Sequence, residues 1–278
     1  MKNPDTILSD MEFIAFDLET TGLHAISGHI IEIGAVRFRG NGQILAEFDE
    51  LIDPESIIPS TATEINGITN EMVAGKRTIR AALPEFAEFL GDTSTMLMAH
   101  NARFDVEFLS AALSRLDYPI PSHAVIDTCP LAKQRLSLID NKLETIGRYY
   151  RLVEIEKHRA LDDSMLLKDV FLQLLNESPS MKRFEELSLA VSFHQFEKFD
   201  MVLHDPPPGF EDLWDAIAKQ QPVSIAYLGG SRPGENRTIT PHGIVKKQET
   251  VYISAYCHQG KCEKSFRLDR ISSFRRVQ

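Results

Sequence analysis

At 278 residues the chain is long enough for one large or two medium domains. Its 43% hydrophobic and 25% charged residues exclude wholesale disorder, collagen and coiled coil. Acidic residues outnumber basic ones, 40 to 30, leaving a net charge of −10; this excludes a grip on nucleic acid by phosphate neutralisation alone, unless metal ions bridge the like charges.

In chain order, residues 12–17 read as a buried strand, 29–38 as a second and 44–52 as a third. Asn41-Gly42 between the last two is a strong hairpin turn. On this reading Glu32 falls on a solvated strand face. Leu83, Phe86, Ala87 and Leu90 space as a helix that Gly91 ends. A short strand at 95–99 and a helix at 104–116 follow, then a strand end at Val125-Ile126 and a helix at 141–150. Leu166, Leu167, Val170, Phe171 and Leu174 carry the 3.6-residue period of another helix. Hairpin-linked strands followed by alternating helices and strands imply an α/β fold, a mixed sheet with flanking helices.

Residues 181–199 read as a helical connector, with its boundary open at Val191-Ser192-Phe193. Asp205-Pro206-Pro207-Pro208-Gly209 cannot lie inside a helix or strand and ends a linker. The charge changes sign there. Residues 205–278 carry 11 basic and 8 acidic side chains, and 1–204 carry 19 and 32. After one helix face at Leu213, Trp214 and Ile217, short alternating strands begin at 223–228, 237–239, 243–246, 250–257, 263–268 and 272–277. They predict a small closed β-barrel behind a helix. The expected division is 1–176, a 177–210 connector and linker, and 211–278. No apolar run approaches the length of a membrane span, the first residues lack a signal-peptide pattern, and three cysteines do not make a disulfide scaffold; the expectation is a cytoplasmic protein without membrane attachment.

Three acidic pieces carry chemistry. Asp17 and Glu19, two apart on a strand, point to one side. Two carboxylates so placed repel unless a cation sits between them, and hard oxygen ligands suit Mg²⁺ or Mn²⁺. The bland alternative is a solvated strand end before a turn. His100-Asn101-Ala102-Arg103-Phe104-Asp105 puts Asp105 in the first turn of a helix, at the strand edge where ligand sites gather. Asn101 there reads first as a helix-start residue. His158-Arg159-Ala160-Leu161-Asp162-Asp163 opens the last helix of this part, where an Asp ordinarily serves the helix dipole.

Together, Phe-Asp-Leu-Glu-Thr-Thr-Gly at 16–22, His-Asn-Ala-Arg-Phe-Asp at 100–105 and His-Arg-Ala-Leu-Asp-Asp at 158–163 resemble the DEDD exonuclease superfamily; His-x4-Asp marks its DEDDh branch. Residues 12–176 are similar to the proofreading epsilon subunits of bacterial DNA polymerase III. The resemblance implies a ribonuclease H-like fold and 3′→5′ release of nucleoside monophosphates. It implies Asp17, Glu19, Asp105 and Asp163 as ligands of two divalent cations, Mg²⁺ or Mn²⁺, and His158 as general base, leaving Asp162 a surface or supporting acid. An imidazole, with an ordinary pKa near 6.5, suits that task. Two metal ions would supply both an activated water and charge neutralisation. Thr20, Leu23, Ile68, His100, Asn101 and Phe104 are implied near the terminal nucleotide, Ile68 within the loop Glu64-Ile65-Asn66-Gly67-Ile68-Thr69 beside the 3′ base and Phe104 with a core position as its equal alternative, and Asp127-Thr128 in support. Single-stranded nucleic acid or 3′ ends, with DNA favoured, and a polymerase or other repair protein are the implied partners. A short-RNA exoribonuclease is the nearest alternative, and a non-catalytic regulator the alternative from another class.

Residues 213–278 resemble a WYL domain, an Sm-like or SH3-like barrel, with Val251-Tyr252-Ile253 at the namesake position. The resemblance implies binding of nucleic acid or a nucleotide-like ligand through Arg237, Arg267 and Arg270, with Tyr227 and Tyr252 as stacking platforms. The alternative is arginines paired with Asp269 and Glu263 and tyrosines packed inside. Cys257-His258-Gln259-Gly260-Lys261-Cys262 lacks a second ligand pair, which argues against structural zinc.

Overall fold

The computed structural model describes residues 3–154, 158–197, 209–219, 221–230, 233–247 and 249–277. The chain folds as two compact units: Met1–Thr20 with Ile30–Leu109 and Pro121–Phe196, and Thr21–His29 with Ser110–Ile120 and Glu197–Gln278.

The elements of the first part are β1 (Glu12–Thr20), β2 (Ile30–Arg39), β3 (Ile44–Asp53), α1 (Ser60–Asn66), α2 (Asn70–Val73), β4 (Arg77–Thr78), α3 (Ile79–Leu90), β5 (Met96–Ala99), α4 (Arg103–Arg115), β6 (Ala124–Asp127), α5 (Cys129–Arg135), α6 (Leu143–Tyr149), α7 (Ala160–Asn176), α8 (Phe184–Ala190) and β7 (Ser192–Gln195). The seven strands form one mixed sheet in the order β4-β3-β2-β1-β5-β6-β7. β1, β2 and β3 run antiparallel, with Gly42 at φ +93° in the hairpin turn between the last two. β5 lies parallel to β1 and to β6, so the C-terminal ends of β1 and β5 share one edge of the sheet.

One face of β1 changes character along its length. Phe13 and Ala15 belong to the core under α7, and Asp17 and Glu19 continue the same alternation. α7 supplies Leu167, Val170, Phe171 and Leu174 to that core. The Phe171 ring lies 5.3 Å from Phe13 and 6.5 Å from Phe38, centroid to centroid. The helix is therefore anchored by its apolar C-terminal turns, and its first turn reaches the acidic end of β1.

The connector expectation is corrected. Phe184–Ala190 is helical, but Ser192–Gln195 is a strand paired antiparallel with β6. Val191, extended, caps the end of α8, and Ser192-Phe193 opens the strand: β-branched and aromatic residues favour extended backbone over a longer helix. Residues 198–208, including the triple proline, lie outside the described residues.

In the second unit, α9 (Glu211–Ala218) precedes β8 (Val223–Tyr227), β9 (Asn236–Lys247), β10 (Thr250–Cys257), β11 (Cys262–Arg267) and β12 (Ile271–Arg276). The sheet is antiparallel, in the order β11-β10-β9-β8-β12, with a 3₁₀ turn at Leu268–Arg270 joining its two edge strands. Among the described residues no ladder joins β11 to β12; Leu213 and Ala216 of α9 cover the apolar face instead. The strands expected at 237–239 and 243–246 are one continuous strand. Its pairing with β10 skips His242, so a bulge beside Pro241 absorbs the break that the proline suggests.

Phe171→Ala empties a site shared by two other rings. It is expected to destabilise the first unit by about 3–5 kcal/mol, seen as a lower midpoint of urea unfolding.

Candidate active site

β1 delivers Asp17 and Glu19 at the open end of the sheet, opposite Gly34 and Glu32 of β2 in the antiparallel register. The chain leaving β5 turns sharply at Asn101, which has φ +61°. Asp127, at the end of the neighbouring β6, stabilises this turn: its Oδ1 accepts the backbone N–H groups of Asn101 (3.0 Å) and Cys129 (2.9 Å). The turn starts α4 so that Asp105 falls in its first turn, buried. Burial first, then the negative charges of Glu19 and Asp127, push the Asp105 carboxyl up to about 8, against hydrogen bonds from backbone N–H groups of Asp105 and Leu18.

The last pieces come from α7. His158 takes φ +48°, Arg159 is extended and serves as N-cap, and Asp163 lies buried in the first turn. Ligand atoms of Glu19, His158 and Asp163 all lie within 4.8 Å of one another, from segments more than a hundred residues apart. The donor set fits a hard divalent cation: carboxylate oxygens dominate, one imidazole is present, and Asp105 is a buried acid whose ionised form needs positive charge nearby.

Several expectations change here. Glu32 is not on a solvated face; its side chain is 0% exposed. It accepts from Arg159 Nε at 2.9 and 3.1 Å, from Arg159 Nη2, and from the Ala160 N–H at 2.9 Å. The sequence did contain the signal, because an acid inside the run His-Ile-Ile-Glu-Ile-Gly-Ala-Val must be buried and a buried carboxylate needs a partner. Ile68 is 0% exposed and packs with Ile31, Ile58, Ala62 and Val73, so it is a core residue and not a nucleotide contact. Asn66 is buried too and accepts the Ile68 N–H; the exposed apolar side chain of this segment is Ile65, at 60%. His100 has both ring nitrogens engaged, Nδ1 with Thr128 Oγ1 (2.9 Å) and Nε2 with the Asn141 carbonyl (2.6 Å). Burial lowers its pKa, so the neutral ring donates from Nε2 and ties loops together.

Thr20 is buried at the strand end, Asn101 is exposed, and Leu23 is 77% exposed. Phe104 is half-buried with its ring 4.7 Å from Phe108. Asp162 is exposed.

In the second unit Tyr227 is a core residue: its hydroxyl accepts the Arg267 N–H and its ring meets Phe266 edge-on, which removes it as a stacking platform. Arg267 pairs with Asp269 through Nε (3.0 Å) and Nη2 (2.7 Å). Tyr252 sits opposite Arg267 in the β10–β11 register and is half-exposed, as is Arg237, while Arg270 is exposed. Cys257 and Cys262 face each other across that hairpin, and His258 turns to Thr240.

Residues 14–171 match the family described as Exonuclease, and 208–276 match the WYL domain. The chain belongs to the exonuclease family. It is 41% identical over 266 residues to the PolC-type DNA polymerase III of Thermotoga maritima, covering 92% of this chain but 18% of that protein. It is 39% identical over 166 residues to the DNA polymerase III subunit epsilon of Treponema pallidum, covering 59% of this chain and 76% of that one. The chain thus spans about a fifth of the PolC-type relatives it matches. E. coli Exonuclease I in complex with a dT13 oligonucleotide shares the fold, with TM-score 0.57 and 15% identity over 88% of this chain and 55% of that one. So does the nuclease domain of 3′hExo, a DEDDh family member bound to rAMP, with TM-score 0.55 and 16% identity over 69% of this chain and all of that one. Among the described residues no helix is long and apolar enough to cross a membrane.

The raised Asp105 pKa has a consequence for stability. Between pH 3.8 and about 8 the metal-free folded protein holds a proton that the unfolded chain has released, so its stability falls as pH rises through that window. Thermal unfolding in EDTA at pH 5 and pH 8 is expected to show this loss. Mg²⁺ or the Asp105→Asn substitution is expected to reduce it.

Proposed function

We propose that this chain is a divalent-metal-dependent 3′→5′ exonuclease that releases nucleoside 5′-monophosphates from the 3′ ends of single-stranded DNA in the cytoplasm. The observation that carries this reading is the approach of ligand atoms of Glu19, His158 and Asp163 within 4.8 Å of one another, with Asp17 two residues before Glu19 on β1 and Asp105 near enough for the Glu19 charge to raise its pKa. The names of the polymerase III relatives favour DNA over RNA and a DNA polymerase as partner.

Asp17, Glu19, Asp105 and Asp163 would hold two cations, Mg²⁺ or Mn²⁺. Bound there, the cations supply Lewis-acid polarisation of the phosphate and a lowered pKa for water. His158 Nδ1 or Nε2 takes the proton from the attacking water. Thr20, Leu23, Asn101 and Phe104 contact the terminal nucleotide, with Ile65 in the role expected of Ile68. The WYL unit, offering Arg237, Tyr252, Arg267 and Arg270, binds single-stranded nucleic acid or a nucleotide-like ligand. Its modest positive charge complements the acidic nuclease part, which meets phosphate through cations.

Incubation of end-labelled single-stranded DNA and RNA with the protein, in Mg²⁺, Mn²⁺ or EDTA, tests the reading; stepwise shortening from the 3′ end of DNA that EDTA stops is expected. Asp17→Asn is expected to abolish cleavage with the fold retained, since it removes a ligand charge at nearly constant volume. His158→Ala is expected to lower kcat by about 10²–10⁴-fold. A His158→Ala variant with unchanged turnover would remove that residue from the chemistry.

Replacing Arg267 and Arg270 by Gln is expected to raise KM for a 40-mer more than for a 5-mer. The difference should shrink as salt rises, because phosphate contacts weaken with ionic strength. Steady-state kinetics on both lengths at two salt concentrations measure it.

A further inference from the structure

We propose that Glu32 and Arg159 form a positioning clamp that sets His158 and Asp163 against Glu19 while withholding Glu32 from the cation site. The inference rests on the exonuclease reading above, and neither residue is a catalytic residue in it.

Glu32 lies directly across the ladder from Glu19, on the same face of the sheet. Left bare, it would be a fifth carboxylate beside Asp17, Glu19, Asp105 and Asp163. Instead its two oxygens take three donor groups: Arg159 Nε and Nη2, and the Ala160 N–H. The fork of a guanidinium matches a carboxylate in a way that a lysine cannot. Both lone-pair sets are thereby committed and the charge is neutralised.

The same bonds fix the start of α7. Arg159 is the N-cap, but its own side chain caps nothing in the helix. Glu32, from another strand, satisfies one of the helix's orphan N–H groups in its place. His158 immediately precedes this point in a left-handed conformation that a non-glycine residue holds only under constraint. Three residues past Ala160, Asp163 occupies the same helical turn. Displacing the Arg159–Ala160 step would therefore move the base and the ligand together. A misplacement of about 1 Å can cost up to about 10²-fold in rate.

The test compares wild type, Glu32→Gln, Arg159→Lys, His158→Ala and the double variants Glu32→Gln/His158→Ala and Arg159→Lys/His158→Ala. It reads kcat and KM on end-labelled single-stranded DNA, and Mn²⁺ affinity by calorimetry. Glu32→Gln and Arg159→Lys are expected to lower kcat by about 10–10²-fold, with KM changed less than about twofold. In the His158→Ala background the same substitutions should cost less than in wild type, because the share that acts through the base is already gone and only the share that acts through Asp163 remains. Both should also weaken Mn²⁺ binding, through Asp163. Equal losses in both backgrounds with Mn²⁺ affinity unchanged, or unchanged kcat, overturn the clamp. Where Glu32→Gln fails to fold, Arg159→Lys carries the test, since it keeps the charge and alters only the fork. A folded wild type that binds Mn²⁺ and leaves DNA intact overturns the exonuclease reading instead; the clamp then stands or falls on Mn²⁺ affinity, with equal values in wild type and variants overturning it.

Discussion

Helix α7 meets β2 backbone to backbone. A Cβ on Gly34 would sit 2.0 Å from both the Ala160 carbonyl carbon and the Leu161 nitrogen, so the only side chain that fits is a hydrogen atom. Ser164 reinforces the contact, its hydroxyl 2.9 Å from the Gly34 oxygen and 2.7 Å from the Ala160 oxygen. Gly34 is also the partner of Asp17 across the ladder. The depth at which the helix seats on the sheet is therefore set beside the first acid of the site. The aromatic cluster of Phe13, Phe38 and Phe171 holds the far end of the helix, and the glycine contact holds the near end. Between two fixed ends, the first turn has little freedom to drift.

Around this contact, acids are sorted by what surrounds them. Glu32 is neutralised by a guanidinium and Asp127 is held by two backbone N–H groups, with His194 3.6 Å from its second oxygen. These acids shape loops and helix starts. Asp105 has a different environment: burial and neighbouring carboxylates raise its pKa, which is the condition under which an added cation stabilises most. The excess of acids that composition alone makes unfavourable for nucleic acid is thus divided between structure and chemistry.

The order of elements around the site was legible because its signals are local. Asp17-x-Glu19, the short β5 followed by Asp105, and His158 before Asp163 are each contained in one turn or strand end. The 3.6-residue stripe of α7 was equally local. What escaped depends on neighbours distant in sequence. The partner of Glu32 is 127 residues away, and that of His100 is 41 residues away. Ile68 follows a left-handed Gly67 that turns its side chain into a small core of Ile31, Ile58, Ala62 and Val73, where a linear reading finds only an exposed loop. The continuous β9 was hidden by Pro241 because a bulge leaves no trace in hydrophobic alternation.

The segment beyond the family match, which stops at residue 171, is built into the sheet rather than appended to it. Met181 and Leu187 enter the main core, β7 covers the edge of β6, and Phe184 and Lys182 bond the backbone of Thr6 and Leu8 near the N-terminus. A chain ended at 171 or 176 would lose all of this at once. Val125 and Ile126 would present an unpaired strand edge, the core would be open on one side, and the N-terminal segment would lose its tether. A strand edge left bare in this way is a template for pairing with another chain. The first compact unit thus reaches Phe196, 25 residues beyond the end of the family match.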